Sequence, residues 1–389
     1  MFYHSKATIY CKRKYRKSKK NRIQFTILEF KFSIFAIVIF TAKMNLEKRI
    51  ESFSVLGKTL SDSLDGNNGQ YGLSLRKLIE RQEGINKWFT PSNVRLALEA
   101  IASILTEENL SLWTSRYPML KEDVSPVRVG LIFAGNIPAV GFHDYLTVLI
   151  SGNKLIAKPS SKDPDLIPFL HQILCDINPD FNESAKFITG VLNNFDVVIA
   201  TGSNNSSRYF DYYFGKYPNI IRKNRNSVAI IEGSENDNEL KALGRDIFSY
   251  FGLGCRNVSK VYLPDGYEIT SLFEYWNEYS DCINHHGYAN NYDYNKAIYL
   301  INKQDFLDTG YLLLKEDNKT ASPVSVVNYE YYHSLHDVRK VISSDNNVQC
   351  VVGKNHVPFG QSQLPDLWDY ADGVDTLDFL LKKNLAGIL

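Results

Sequence analysis

Between Asn45 and about Glu122 the apolar residues recur at helical spacing. Leu75, Leu78 and Ile79 are followed by Val94, Leu96, Leu98, Ile101 and Leu105, steps near three and four that predict amphipathic helices. Pro91-Ser92, after a turn at Phe89-Thr90, reads as a helix start. From Val127 the texture changes to short apolar runs alternating with helical ones. Strands are predicted at Val127–Phe133, Lys154–Lys158, Asp196–Ala200 and Asn219–Arg222. Between them fall helices at Ala139–Ile150, from Ser161-Lys162-Asp163-Pro164 towards Cys175, and at Ser206–Phe214. Such alternation argues an open, mainly parallel sheet covered on both faces. A second α/β unit starts at Val228–Ile231. Its further strands are predicted at Val258–Leu263, Lys296–Ile301, Val324–Asn328 and Val348–Val352, with helices near Ile269–Glu278 and Leu335–Ser343. The tail from Pro358 reads as part loop, part helix.

Composition adds little, except at the N-terminus. The chain has 389 residues, 44% hydrophobic and 22% charged, with a formal net charge of +1. Residues 1–43 carry eleven Lys and Arg and one acid, Glu29, so the remainder stands near −9. A mildly acidic body gives no signal for nucleic acid. The basic cluster Lys12–Arg22, the apolar run Phe32–Ala42 and an internal Met44 suggest an extension upstream of a native start at Met44. A membrane anchor is the alternative reading. Five scattered cysteines without a Cys-x-x-Cys pair signal neither a disulfide framework nor a metal site, and they suit a reducing cytoplasm.

In an open parallel sheet ligands bind past the carboxyl ends of strands, which singles out the turns at Asn136, Lys158 and Gly202. Gly202-Ser203 opens a helix and suits a phosphate, although it is no Gly-x-Gly-x-x-Gly fingerprint. Asn136 fits an oxyanion donor or a plain turn residue before a proline; Lys158 fits a cofactor contact or an exposed strand end. Gly252-Leu253-Gly254-Cys255 sets a thiol in a gap free of side chains, where a flat electrophile and backbone N–H groups can approach together. Taken alone, the motif is read first as a small core cysteine beside a glycine turn, since most free cysteines are small core residues. His285-His286, near Cys282, makes a poor metal clamp if the pair lies on a strand, because neighbours there face opposite ways.

Taken in order, Phe133-Ala134-Gly135-Asn136-Ile137-Pro138, Gly152-Asn153 with Lys158-Pro159, Ala200-Thr201-Gly202-Ser203 and Gly252-Leu253-Gly254-Cys255 resemble the aldehyde dehydrogenase superfamily. Gly202-Ser203-Asn204-Asn205, Ile221-Arg222-Lys223-Asn224-Arg225 and Phe251 to Lys260 more closely resemble the LuxC-type acyl-CoA reductases. The resemblance runs from about Asn45 to the C-terminus. It implies an α/β, aldehyde-dehydrogenase-like fold, a Rossmann-like nucleotide-binding domain plus an α/β catalytic domain. The expected division is an extension at 1–43, the nucleotide-binding domain with N-terminal helices at 44–227, the catalytic domain at 228–357, and a tail, 358–389, packing back on the body.

The resemblance also implies roles. Cys255 would accept the acyl group, and Asn136 with the Cys255 backbone N–H would hold the oxyanion. Gly202 and Ser203 would meet the cofactor pyrophosphate, Lys158 the adenosine ribose and Glu316 the nicotinamide ribose. Aldehyde-oxidising members carry a water-activating glutamate where Arg222-Lys223-Asn224-Arg225 stands here. Lacking it, the chain is expected to reduce an acyl-CoA or acyl-carrier thioester rather than oxidise an aldehyde. An acyl-protein synthetase partner and a homo-oligomer are further implications. NAD-using relatives place an acid three residues after the strand-end lysine. Here Ser160 and Ser161 follow Lys158 and Pro159, so NADPH is expected to be preferred over NADH. Two other readings stand beside this one: a cysteine acyltransferase or thioesterase, and a non-catalytic scaffold.

Overall fold

The computed structural model describes residues 44–66, 70–122 and 125–385, so the predicted extension at 1–43 lies outside the described residues. Four helices open the described chain: α1 (Leu46–Leu64), α2 (Gly72–Ile85), α3 (Pro91–Ile104) and α4 (Glu107–Ser115). Thr90 caps α3, its hydroxyl accepting the Asn93 N–H at 3.3 Å, with Pro91 in the first turn where its missing N–H costs nothing. The inner faces bury Phe53, Leu56, Leu60, Val94 and Leu98.

The first sheet follows: β1 (Arg128–Ile132), α5 (Phe142–Ile150), β2 (Lys154–Lys158), α6 (Leu166–Ile177), β3 (Ala185–Phe187), β4 (Val197–Thr201), α7 (Asn204–Phe214) and β5 (Asn219–Arg222). The order is β3-β2-β1-β4-β5 and every pairing is parallel. Val197 to Ala200 are wholly buried, as expected of a central strand covered on both faces. The chain runs outward from β1 through β2 to β3, then crosses back to β4 on the other side of β1. The order therefore reverses between β1 and β4, which opens a crevice beyond their carboxyl ends.

The second sheet is built from β6 (Asn226–Ile230), α8 (Asp237–Phe248), β7 (Val258–Pro264), a short α9 (Leu272–Trp276), α10 (His286–Ile301), β8 (Leu307–Asp308), β9 (Leu313–Glu316), β10 (Val326–Tyr332), α11 (Leu335–Ser344) and β11 (Val348–Val352). Its order is β11-β6-β7-β10-β9-β8, parallel except for β8 on β9. The core on one side of it gathers Leu243, Ile247, Val261, Leu263, Leu272, Trp276, Leu314 and Val327. After β11 the chain runs back to α12 (Thr376–Leu385), which rests on α5. Trp113 Nε1–H donates to the Tyr370 hydroxyl at 2.7 Å on the way. The described residues from Asn45 onward pack as one unit. Among the described residues no helix is long and apolar enough to cross a membrane.

Three sequence expectations are corrected. Lys296–Ile301 is not a strand but the end of α10, whose buried residues Tyr288, Tyr292, Asn295 and Tyr299 fall four, three and four apart on one helical face. The strand place goes to Leu313–Glu316, paired with β10. His285 and His286 accordingly open a helix instead of lying on a strand. The helix expected from Ala139 begins at Phe142, because Ala139 takes φ +52°, outside the helical range.

Candidate active site

Turns and loops from both sheets meet around a cavity of about 780 Å³. The β1–α5 turn brings Phe133 to Val140, and the β4–α7 turn brings Thr201, Gly202 and Ser203. Arg222 to Asn226, which run from the end of β5 to the start of β6, line it as well. The loop Tyr250–Arg256, the α3 residues Ala97, Ala100, Ile101 and Ile104, the turn after β2 with Ser160 and Lys162, and the C-terminal segment with Gln363, Pro365, Asp369 and Asp372 line it too. Cys255, Asn136, Ser160, Gly202 and Ser203, named from the sequence, all line this one space.

The cysteine loop is held by polar bonds. Tyr250, Phe251 and Gly252 take φ values of +53°, +57° and +76° in succession, a left-handed run that two bulky residues enter only when their surroundings impose it. Asn257, buried two residues after the cysteine, imposes part of it. Its Oδ1 accepts the Gly254 N–H at 2.8 Å, and its Nδ2 reaches the carbonyls of Asp246, Ile247 and Ser249 at 3.0, 3.3 and 2.8 Å. A Cβ on Gly254 would stand 2.8 Å from Asn257 Oδ1, so this glycine is required by the bond itself. The Ser227 hydroxyl donates to the Cys255 carbonyl at 2.9 Å. Burial pushes the Cys255 thiol up; Arg256 pulls it down, and Asp372 and Cys350 push it further up.

Asn136 Nδ2 donates to the Leu253 carbonyl at 2.7 Å. The amide on the β1 side thus touches the cysteine loop directly, two residues before the thiol. Arg222, at the end of β5, is buried and fully bonded. Its Nε and Nη2 grip both oxygens of Asp144 at 3.2 and 2.7 Å, Nη2 also meets Thr376 Oγ1 at 2.8 Å, and Nη1 meets the Ala371 carbonyl at 2.6 Å. Arg225 pairs with Asp372 at 3.1 Å, and Arg256 Nη2 donates to the Asp369 carbonyl at 2.8 Å. Three arginines therefore pin the C-terminal segment across the cavity.

At the β1/β4 crevice the Ser203 hydroxyl caps α7 by accepting the Ser206 N–H at 3.3 Å. A Cβ on Gly202 would come 2.8 Å from Phe210 and 2.9 Å from Ser206, which reserves that corner for glycine. Lys158 ends β2 and Ser161 is exposed on the turn beyond it, but neither lines the cavity; Lys162, read in the sequence only as part of a helix start, does. Glu316 is exposed at the end of β9 and is also absent from the cavity wall. Sequence reading also missed Asn257 and the C-terminal segment. Asn257 could have been suspected from its place beside the glycine–cysteine motif; nothing local marks Asp369 or Asp372. No cluster of three or more His, Cys, Asp or Glu suited to a metal occurs among the described residues.

Comparison with known proteins fits this arrangement. A family model described as "Acyl-CoA reductase (LuxC)" matches residues 81–275, from α2 through the cysteine loop to α9. The chain belongs to the LuxC acyl-CoA reductase family. Among curated relatives, this LuxC-family chain is 25% identical over 253 residues to a long-chain acyl-protein thioester reductase of Aliivibrio fischeri, covering 57% of this chain and 52% of that one. It is 22% identical over 242 residues to long-chain acyl-protein thioester reductase 2 of Photobacterium leiognathi, covering 54% and 49%. The LuxC-family chain therefore matches over about half the length of these relatives. Its fold is that of the aldehyde dehydrogenases. Aldehyde dehydrogenase 21 of Physcomitrella patens superposes with a TM-score of 0.58 at 13% identity, covering 82% of this chain and 76% of that one. An NAD+ complex of an aldehyde dehydrogenase from Bacillus cereus gives 0.56 at 14%, covering 80% and 72%.

Proposed function

We propose that this protein reduces an acyl thioester to the aldehyde, with NADPH as reductant and a thioester on Cys255 as intermediate. The observation that carries the reading is the shared cavity. The Cys255 thiol, the Asn136 amide that touches its loop, and the glycine turn of the β1/β4 crevice all line the same space. That crevice suits a dinucleotide: Gly202 and Ser203 at the N-terminus of α7 would meet the pyrophosphate. Ser160 and Lys162 would face the ribose end. Solved aldehyde dehydrogenases of this fold bind NAD+, which supports the same use here.

In the proposed cycle the Cys255 thiolate attacks the thioester carbon, forming a new C–S bond. Asn136 Nδ2 and the Cys255 N–H would hold the oxyanion while the bond to the donor sulfur breaks and the departing thiolate takes a proton from water. Each such donor is worth about 3–4 kcal/mol of barrier. A reduced nicotinamide cofactor held at Gly202 and Ser203 would supply the hydride that the thioacyl carbon accepts. Breakage of the C–S bond then releases the aldehyde and returns Cys255 as thiolate. By the family resemblance the stretch Arg222-Lys223-Asn224-Arg225 would take the place of the water-activating glutamate, and Arg222 is held on Asp144, which favours keeping the thioester over hydrolysing it. Among the described residues the one histidine on the cavity wall is His143; its Nε2–H donates to the Leu367 carbonyl at 2.9 Å, and burial lowers its pKa. It is thus poorly suited to serve as the base of a thioesterase.

The substrate we favour is a fatty acyl group. Ala97, Ala100, Ile101 and Ile104 give the cavity an apolar flank beside Ile137 and Leu253, and the curated relatives are named for long-chain acyl-protein thioesters. The donor would be acyl-CoA or an acylated protein thiol, with an acyl-protein synthetase as partner, and thiol chemistry of this kind suits the cytoplasm. Incubation with acyl-CoA of increasing chain length and NADPH tests the reading. The expected result is NADPH consumption matched by aldehyde formation. Neither NADPH nor NADH being oxidised with any chain length or with an acylated protein donor would refute it.

A further inference from the structure

The proposed oxyanion hole draws on two loops from different sheets, Gly135-Asn136 and Tyr250–Cys255, and one short turn touches both. Asn86, Lys87, Trp88 and Phe89 join α2 to α3, closed by the Phe89 N–H to the Asn86 carbonyl at 2.8 Å. The turn is braced within: the Trp88 N–H donates to Asn86 Oδ1 at 3.2 Å and Asn93 Nδ2 to the Trp88 carbonyl at 3.2 Å. On one side buried Asn86 donates through Nδ2 to the Gly135 carbonyl at 3.3 Å, one residue before Asn136. On the other, the Trp88 ring lies 5.5 Å from Phe251, edge to face.

His285 completes the contact. Its ring stacks on Phe251 at 4.4 Å and 28°, with Trp88 at 4.7 Å and 35°. The Tyr288 N–H can only donate, so Nδ1 must accept it, at 3.2 Å. The proton is therefore on Nε2, which donates to the Lys87 carbonyl at 2.9 Å. A Cβ on Gly287 would stand 2.8 Å from Trp88 Cζ2, so the helix start at α10 leaves room for the indole. Phe251, the residue gripped by both rings, sits in the middle of the left-handed run at +57°. Conformations of that kind persist only where their surroundings over-determine them.

We propose that Asn86, Trp88 and His285 are positioning residues. They fix Asn136 and Cys255 relative to one another and so set the oxyanion hole, although none of them touches the substrate. This rests on the proposed thioester chemistry and assigns His285 a role beyond capping α10. A shift of about 1 Å between reacting groups is enough to slow a reaction about a hundredfold.

The test compares two reactions of the same thiol. Acylation of Cys255 by a long-chain acyl-CoA without cofactor needs the oxyanion hole; alkylation by iodoacetamide does not. His285→Ala and Asn86→Ala are expected to slow acylation about ten- to a hundredfold and to leave alkylation within about threefold of wild type. His285→Asn keeps an N-cap acceptor but loses the stack, and it is expected to behave as His285→Ala. Acylation at the wild-type rate in these variants, full rescue by His285→Asn, or equal loss of both reactions would overturn the proposal. Wild-type protein that alkylates but forms no acyl adduct would instead overturn the thioester reading beneath it, and the clamp with it.

Discussion

Arg222→Met should destabilise the protein more than any other single change at the cavity. The guanidinium is 3% exposed and the Asp144 carboxylate 10%, and Arg222 makes four bonds shorter than 3.3 Å. Methionine fills much of the same volume but leaves Asp144 as a buried carboxylate without its partner, a loss of about 3–5 kcal/mol. Unfolding entropy of about 2.1 cal/mol/K per residue gives roughly 0.7 kcal/mol/K for a folded body of this size. The expected fall in Tm is therefore about 4–7 °C. Replacing both partners, Arg222→Met with Asp144→Leu, removes the unpaired charge and should recover part of that loss. The same arginine ties Ala371 and Thr376, so limited proteolysis should cut the segment around 365–375 faster in the single variant. Thermal unfolding followed by circular dichroism, with the cleavage sites read by mass spectrometry, measures both. A Tm within about 1 °C of wild type, or a double variant less stable than Arg222→Met alone, would refute the reasoning.

Two further outcomes are expected. Burial pushes Asp163 up to about 6 and His171 down to about 4. The Asp163 contribution is present below its ordinary value of 3.8 and lost as pH rises through about 6. The His171 contribution is present above its ordinary 6.5 and lost as pH falls towards 4. Each amounts to about 3 kcal/mol and they offset one another. Asp163→Asn should therefore steepen the rise in stability between pH 4 and 6.5, read from urea midpoints; parallel curves would contradict this. For the cofactor, NADPH should be used about tenfold better than NADH, a difference of about 1.4 kcal/mol. Ser160→Glu, on the cavity wall, should reverse the order, and Lys162→Ala should weaken NADPH more than NADH. Unchanged ratios of kcat/KM in both variants would place the ribose elsewhere.

How far the site could be read in the sequence depended on how local its causes are. The strands β1, β2 and β4 announced themselves because a buried parallel strand is a short, unbroken apolar run, and the turns after them carry Asn136, Lys158 and Gly202. The start of α3 was equally legible from Thr90 and Pro91. At Lys296–Ile301 the same logic failed: Ala297, Ile298, Tyr299 and Leu300 look like a strand when taken alone. Only the longer spacing back to Tyr288 and Tyr292 shows the helix. Cys255 and Asn136 were found by motif, yet what holds them was not. Asn257 bonds to a loop it follows closely, but Arg222 meets Asp144 and Thr376 across 78 and 154 residues, and His285 meets Lys87 across 198. Contacts of that separation leave no periodic trace in the chain.

The central claim is that Cys255 carries the acyl group. It is tested most directly by peptide mass spectrometry of protein incubated with a long-chain acyl-CoA or acylated donor protein in the absence of any nicotinamide. The expected result is a single acyl adduct on Cys255, absent from Cys255→Ala, present in Cys350→Ala and Cys282→Ala, and discharged as aldehyde when NADPH is added. An adduct on another cysteine, or an adduct on Cys255 that leaves only as free acid when NADPH is added, would contradict it.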